Sequence, residues 1–225
     1  MIKQTKEPQY DILFKVKERD GVSRLGLMIN EAWQQDPRRA LFVLSRYKFV
    51  SKILSGKKNV LEIGCADAFG TRLVQQTVEK MTVVDFDPIF ISDVKSRYSE
   101  AWPMKILEHD ILLDGPVKGK FDAIYALDVL EHISKDAEQT FISNCTKSLH
   151  KNGVLIIGMP SLESQQYASP QSKEGHVNCK TGEDLRAILL PHFHNVMLFS
   201  MNDEVLHTGY SKMAHYIFTV STGKM

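Results

Sequence analysis

Five short apolar runs punctuate the first 160 residues: 59–63, 81–85, 104–108, 121–127 and 154–158. Each has the length of a buried strand and stops at a small or polar residue. Between them, apolar positions recur at helical spacing. Val43, Tyr47, Val50 and Leu54 mark one helix, opened by Asp36-Pro37 and stopped by Ser55-Gly56. Further helices are predicted over 70–79, 88–98 and 135–149, and Lys151-Asn152-Gly153 reads as the turn into the fifth strand. Strands alternating with helices require an α/β, doubly wound and mainly parallel sheet, covered on both faces.

Two stretches break this rhythm. Residues 161–180 are rich in Ser, Gln and Lys and too long for an ordinary connection, so they read as a lid over a substrate. After a helix near 182–190, two β-like runs, 195–201 and 213–220, follow without a helix between them, which predicts an antiparallel terminal hairpin. Residues 1–35 lack a sharp pattern and read as a loosely ordered arm. The whole of 1–225 is expected to form a single domain, with residues 1–56 as N-terminal arm and helix.

The chemistry concentrates at the first two strands. Val60-Leu61-Glu62-Ile63-Gly64-Cys65-Ala66-Asp67-Ala68-Phe69-Gly70 runs from a strand through a small-residue turn into a helix, and Asp85 closes the second strand 21 positions after Gly64. Small residues let the backbone approach a ligand, and an acid at that strand end suits ribose hydroxyls, so the unit reads as nucleoside-binding.

Composition narrows the partners. Twenty-eight basic against 27 acidic side chains leave a formal charge of +1, which gives no general field for a nucleic-acid backbone. The three cysteines, Cys65, Cys145 and Cys179, suggest neither a disulfide framework nor a CxxC metal site. The N-terminal residues lack a signal peptide's apolar core, and the apolar run 154–159 is too short to span a bilayer. A soluble cytoplasmic protein is expected, monomeric or homodimeric, with no membrane or nucleic-acid partner.

In this order and spacing, the turn Glu62–Gly70, Asp85, His109-Asp110, the run Phe121 to His132 and Lys151 to Ile157 resemble a class I S-adenosylmethionine (SAM)-dependent methyltransferase over roughly residues 40–220. The resemblance implies a Rossmann-like, seven-stranded sheet whose last strand is antiparallel, SAM as cofactor and a small-molecule acceptor. Glu174–Asn178 and Ser200–Gly209 look like a bacterial subgroup that decorates surface polysaccharides or nucleotide sugars. One departure stands out: Ala66 and Ala68 replace the second and third glycines of the family turn. Alanine resists positive φ, so the loop is expected to avoid that region at both positions.

The resemblance distributes cofactor roles. Asp85 suits the ribose diol, because a carboxylate accepts two hydrogen bonds at once; a helix cap is the competing role. Phe86 is set against the adenine ring or the core, and Asp110 against the adenine amino group or a local turn, with Ile111 beside the ring. Glu62 organises the loop and the methionine amino group in the family. Gly64 gives backbone approach, and Leu127 and Asp128 line the sulfonium and methionine end. Arg46 or Tyr47 meets the SAM carboxylate, or Arg46 sits on a helix surface.

For catalysis His176 is the first candidate, since imidazole titrates near neutrality and the lid brings it over an acceptor. An exposed loop histidine is the alternative. His207 and Glu204 in the hairpin loop are rivals. His132 is another, although Glu131-His132 also fits the start of a helix, where the macrodipole favours an acid. No metal is expected: the pairs His176/Cys179 and His192/His194 do not promise four converging ligands. Two other readings share the βαβ unit: a nicotinamide-dependent oxidoreductase, which would want a fuller G-x-G-x-x-G, and a non-catalytic SAM-binding protein.

Overall fold

The computed structural model describes residues 5–225; the first four positions of the expected arm lie outside the described residues. The arm is helical rather than loose. Ile12–Asp20 (α1) and Leu27–Gln35 (α2) precede the long helix Pro37–Ile53 (α3), which starts where Asp36 accepts from the Arg38 backbone N–H. Then follow Asn59–Ile63 (β1), Thr71–Gln75 (α4), Lys80–Asp85 (β2), Pro88–Ser96 (α5), Lys105–Glu108 (β3) and Phe121–Leu127 (β4). Glu138–Ser148 (α6) leads into Leu149–Pro160 (β5). Pro170–Gly175 (α7), Gly182–Leu189 (α8), Phe193–Asn202 (β6), Val205–His207 (β7) and Tyr216–Lys224 (β8) complete the chain.

Among the described residues the sheet has eight strands in the order β3-β2-β1-β4-β5-β8-β6-β7. β1, β2, β3, β4 and β5 pair in parallel, whereas β8 is antiparallel to both β5 and β6. The count exceeds the expected seven because the hairpin loop contributes a three-residue edge strand, β7, against the end of β6. The expected turn at Lys151–Gly153 is instead a bulge inside β5. The pairing with β4 jumps from Phe121↔Leu149 to Ala123↔Val154, and a Cβ on Gly153 would lie 2.6 Å from the Leu149 side chain.

Strand alternation builds two cores. Leu61, Ile63, Ile124, Ala126, Leu155 and Ile157 face α6 and α8, joined by Phe141, Ile142 and Leu185. Val60, Ala123, Tyr125, Leu127 and Ile156 face α3, α4 and α5, joined by Val50, Val74 and Ile91. The same alternation turns Glu62 toward α3 together with Val60. Among the described residues no helix is long and apolar enough to cross a membrane.

Candidate active site

The turn after β1 is strained in a specific way. Gly64 sits at φ +70°, and a Cβ there would lie 2.4 Å from Cγ2 of Val129. Ala66 and Ala68 also adopt positive φ, 45° and 49°. The expectation that the alanines avoid this region is therefore wrong. The turn keeps its glycine-type path, held by Asp85 Oδ2 accepting from the Ala66 N–H (2.8 Å) and by the Ala68 N–H donating to the Cys65 carbonyl (2.7 Å).

Glu62 is 1% exposed and enclosed by hydroxyls. Tyr47 donates to Oε1 (2.7 Å), while Tyr125 (2.7 Å) and Thr71 donate to Oε2. Burial pushes its carboxyl up to about 7, with the three hydroxyls pulling the other way. Its oxygens tie α3, β4 and α4 beneath the turn. Tyr125 and Thr71 escaped the sequence reading, although Tyr125 stands opposite Glu62 in the β1–β4 register.

Asp85 does not cap α5; Asp87 does, accepting from the Ile89 N–H. Each Asp85 oxygen accepts one backbone N–H, from Ala66 and Asp87, and keeps capacity for another donor. Phe86 is 70% exposed and outside the core. Asp110 Oδ1 accepts from the N–H groups of Leu112 and Leu113, as a turn aspartate does, and its other oxygen takes no part in that turn. Ile111 is buried in the α6-side core, and Leu127 is buried on the opposite side.

Arg46 and Asp128 meet. The guanidinium of Arg46 reaches Asp128 Oδ2 at 2.7 Å and stacks 4.0 Å above the Tyr216 ring. Arg46 is not a surface arginine; its side chain is 15% exposed. Asp128 itself turns the chain after β4 at φ +56°.

Beyond Asp128, the chain enters a short 3-10 turn, Leu130–His132, so Glu131 does not cap α6. Glu131 is fully buried, and neither carboxylate oxygen has a donor among the described residues. Burial and the nearby Asp128 charge push its carboxyl well above the usual range, with Arg46 acting in the opposite sense. Its backbone carbonyl accepts from the N–H groups of Val177 and Asn178, which anchors the segment 161–180 expected to act as a lid. Segment 161–180 is thus a structured element, pinned at its end by the buried Lys180–Glu138 pair (2.6 Å).

His176 lies in this segment, partly buried, with its ring 5.1 Å from that of His132. Burial and His132 hold it below the ordinary histidine value; Asp128 pulls the other way. One ligand atom from each of Glu131, His132 and His176 lies within 4.8 Å of the others. The sequence pairs weighed for metal are not the ones brought together: His192 and His194 sit at the start of β6, on the opposite edge of the sheet. His207 has both ring nitrogens engaged, by the Gly209 N–H and by Asn202 Oδ1, which leaves no lone pair for a base. It lies about 19 Å across the sheet from β4, four strand spacings away. Glu204 is exposed in the same hairpin.

The arm covers the turn. The Ile29 N–H donates to Asp67 Oδ2 (2.8 Å), so Asp67 caps α2 across 38 residues of sequence. A cavity of about 670 Å³ lies beneath this arm, between Arg24, Phe69, Arg72, Arg97 and Trp102. The cofactor candidates stand outside it, on the edge formed by the carboxyl ends of β1, β2 and β4, with Phe86 and Asp128 reachable from solvent.

Comparison with known proteins agrees with this geometry. A methyltransferase-domain family model matches residues 61–157. A probable SAM-dependent methyltransferase of Mycolicibacterium smegmatis is 27% identical over 105 residues, 46% of this chain and 38% of that protein. A counterpart from Mycobacterium tuberculosis is 26% identical over 104 residues, 46% of this chain and 36% of that protein. The chain thus spans little more than a third of the length of these relatives. Among solved structures, the N-methyltransferase NodS from Bradyrhizobium japonicum, bound to S-adenosylhomocysteine (SAH), aligns with a TM-score of 0.62 at 21% identity, covering 93% of this chain and 97% of that one. A possible histamine N-methyltransferase from Thermotoga maritima aligns at 0.67 with 15% identity, covering 94% and 100%. At these identities the structures speak for the fold. The matched segment runs from within β1 into β5 and contains the turn, Asp85 and the Asp128–His132 run; over this segment the chain is similar to the methyltransferase domain of SAM-dependent enzymes.

Proposed function

We propose that the protein transfers a methyl group from SAM to an oxygen of a small, polyhydroxylated acceptor of the sugar or nucleotide-sugar kind, in the cytoplasm. The observation that carries this reading is the free hydrogen-bonding capacity of Asp85 at the carboxyl end of β2, beside the close-approach turn at Gly64 and the exposed ring of Phe86.

The residues present fit the cofactor. Asp85 holds the ribose diol, Phe86 covers the adenine, and the second oxygen of Asp110 accepts from the adenine amino group. Arg46 and Asp128 hold the methionine end, where their opposite charges match a zwitterion. Glu62 serves from beneath, fixing the turn. The sulfonium of SAM supplies an activated methyl group. The chain must align the acceptor and keep water out. His176, beside the Asp128 turn, receives the acceptor's hydroxyl proton. The lid's run of Ser164, Gln165, Gln166, Ser169, Gln171 and Ser172 offers donors and acceptors suited to a polyol.

A nicotinamide enzyme would want an all-parallel order, whereas here antiparallel β8 separates β5 from β6. The test is ligand-dependent melting with SAM, SAH, NAD and NADP in parallel, followed by SAM consumption with nucleotide-sugar acceptors. Stabilisation by SAM and SAH alone supports the reading; stabilisation by NAD or NADP alone overturns it.

A further inference from the structure

We propose that Glu131, His132 and His176 bind a divalent transition-metal ion. Three independent features of these residues converge on it.

The first is the carboxyl of Glu131. It is fully buried and has no hydrogen-bond donor on either oxygen among the described residues. A buried, unpartnered carboxyl is costly, and a cation is the partner that removes the cost. The second is the state of the two imidazoles. His132 Nδ1 stands 2.9 Å from the Gly175 carbonyl, which only accepts, so Nδ1 carries the proton and Nε2 keeps its lone pair. His176 Nδ1 stands 2.8 Å from Gln165 Oε1. The Gln165 amide nitrogen donates to the Ser161 carbonyl, which fixes the amide with its oxygen toward His176. His176 Nε2 is therefore also free. Metal-bound histidines are oriented in this way, with the second ring N–H given to a carbonyl oxygen. The third is proximity: one donor atom of each residue lies within 4.8 Å of the other two.

Two imidazole nitrogens and one carboxylate suit zinc, iron(II), cobalt(II) or manganese(II) better than magnesium or calcium, which prefer oxygen ligands alone. Three protein ligands leave positions for water or for an acceptor oxygen, the arrangement of a working rather than a structural site. Placement favours this use: the cluster follows directly on Asp128, and its third ligand comes from the lid. The use of the ion in methyl transfer rests on the proposed function and would make His176 a ligand rather than a proton acceptor. Binding of the ion does not rest on it.

The test is calorimetric titration of tag-free, chelator-stripped protein with Zn²⁺, together with the visible absorption of a Co²⁺ complex. The expected result is one ion per chain. His176→Ala should weaken Zn²⁺ affinity by about 100-fold or more, and Gln165→Ala, which removes only the outer partner, by about tenfold. His192→Ala should leave affinity unchanged. Melting curves establish that each variant is folded; if His176→Ala is not, Gln165→Ala decides. No stoichiometric binding by the parent protein, or equal affinity in the deciding variant, overturns the proposal. SAH titration of the same stripped protein keeps the two readings apart, since failure to bind SAH leaves the metal result standing.

Discussion

Arg46 on α3 and Asp128 after β4 form an ion pair at 2.7 Å, with the guanidinium lying on the ring of Tyr216. The pair joins an N-terminal helix to the strand end that leads into the Glu131–His132 turn. Removing one member strands the other in a mostly enclosed place. Arg46→Ala should cost about 2 kcal/mol of stability, below the range for fully buried pairs because Asp128 is partly solvated. Arg46→Lys should recover only part of this, since an ammonium does not stack as a guanidinium does. Chemical denaturation of the three proteins measures both.

The positive φ of Ala66 and Ala68 is a stored cost. Ala66→Gly and Ala68→Gly should each stabilise the protein by about 0.5–1 kcal/mol, the relief of strain exceeding the added entropy of the unfolded chain. Gly64→Ala should do the reverse and more strongly, because a Cβ there meets Val129 at 2.4 Å. Thermal melting of the three variants checks the opposed signs.

Glu62 gives the protein a pH dependence of known sign. The unfolded carboxyl loses its proton near 4.5, the folded one only near 7. Between those values the folded state holds more protons, so stability falls as pH rises through the window and is level above it. The full excursion is about 3 kcal/mol. Glu62→Gln should be less stable than the parent at low pH and close much of the gap by about pH 8, as one charge is no longer enclosed. Denaturation midpoints of both proteins across the range test this; a gap that widens with pH would contradict it.

Asp67 offers a test of the arm. Its carboxylate accepts the Ile29 N–H at the start of α2, and Asp67→Ala should cost about 1–2 kcal/mol and loosen α2 over the turn. Hydrogen exchange should then rise in residues 27–35 while the sheet stays protected.

Much of this arrangement was legible in the letters. Apolar runs of strand length and their turn residues placed β1, β2, β3, β4 and the closing hairpin, because local pattern and tertiary burial agree there. The direction in which Glu62 points, toward Tyr47 on α3, came only from the structure. The arm escaped because α1 and α2 are held by contacts distant in sequence, such as Asp67 with Ile29, and present mostly exposed faces. The alanines misled because propensity argued against a conformation that the Asp85 tether enforces. Glu131 hid for a third reason. An acid before a helix usually faces solvent, and only the fold shows that segment 161–180 packs over this one, with Val177 and Asn178 hydrogen-bonded to its backbone carbonyl.

The most direct test of the central claim, that the edge above β1, β2 and β4 holds an adenosyl sulfonium, is calorimetric titration of SAH into the parent protein and into Asp85→Ala. One site per chain should appear in the parent and weaken by about 100-fold in the variant, the loss of two hydrogen bonds to a charged acceptor. No heat in the parent, or equal affinity in both proteins, would contradict the account.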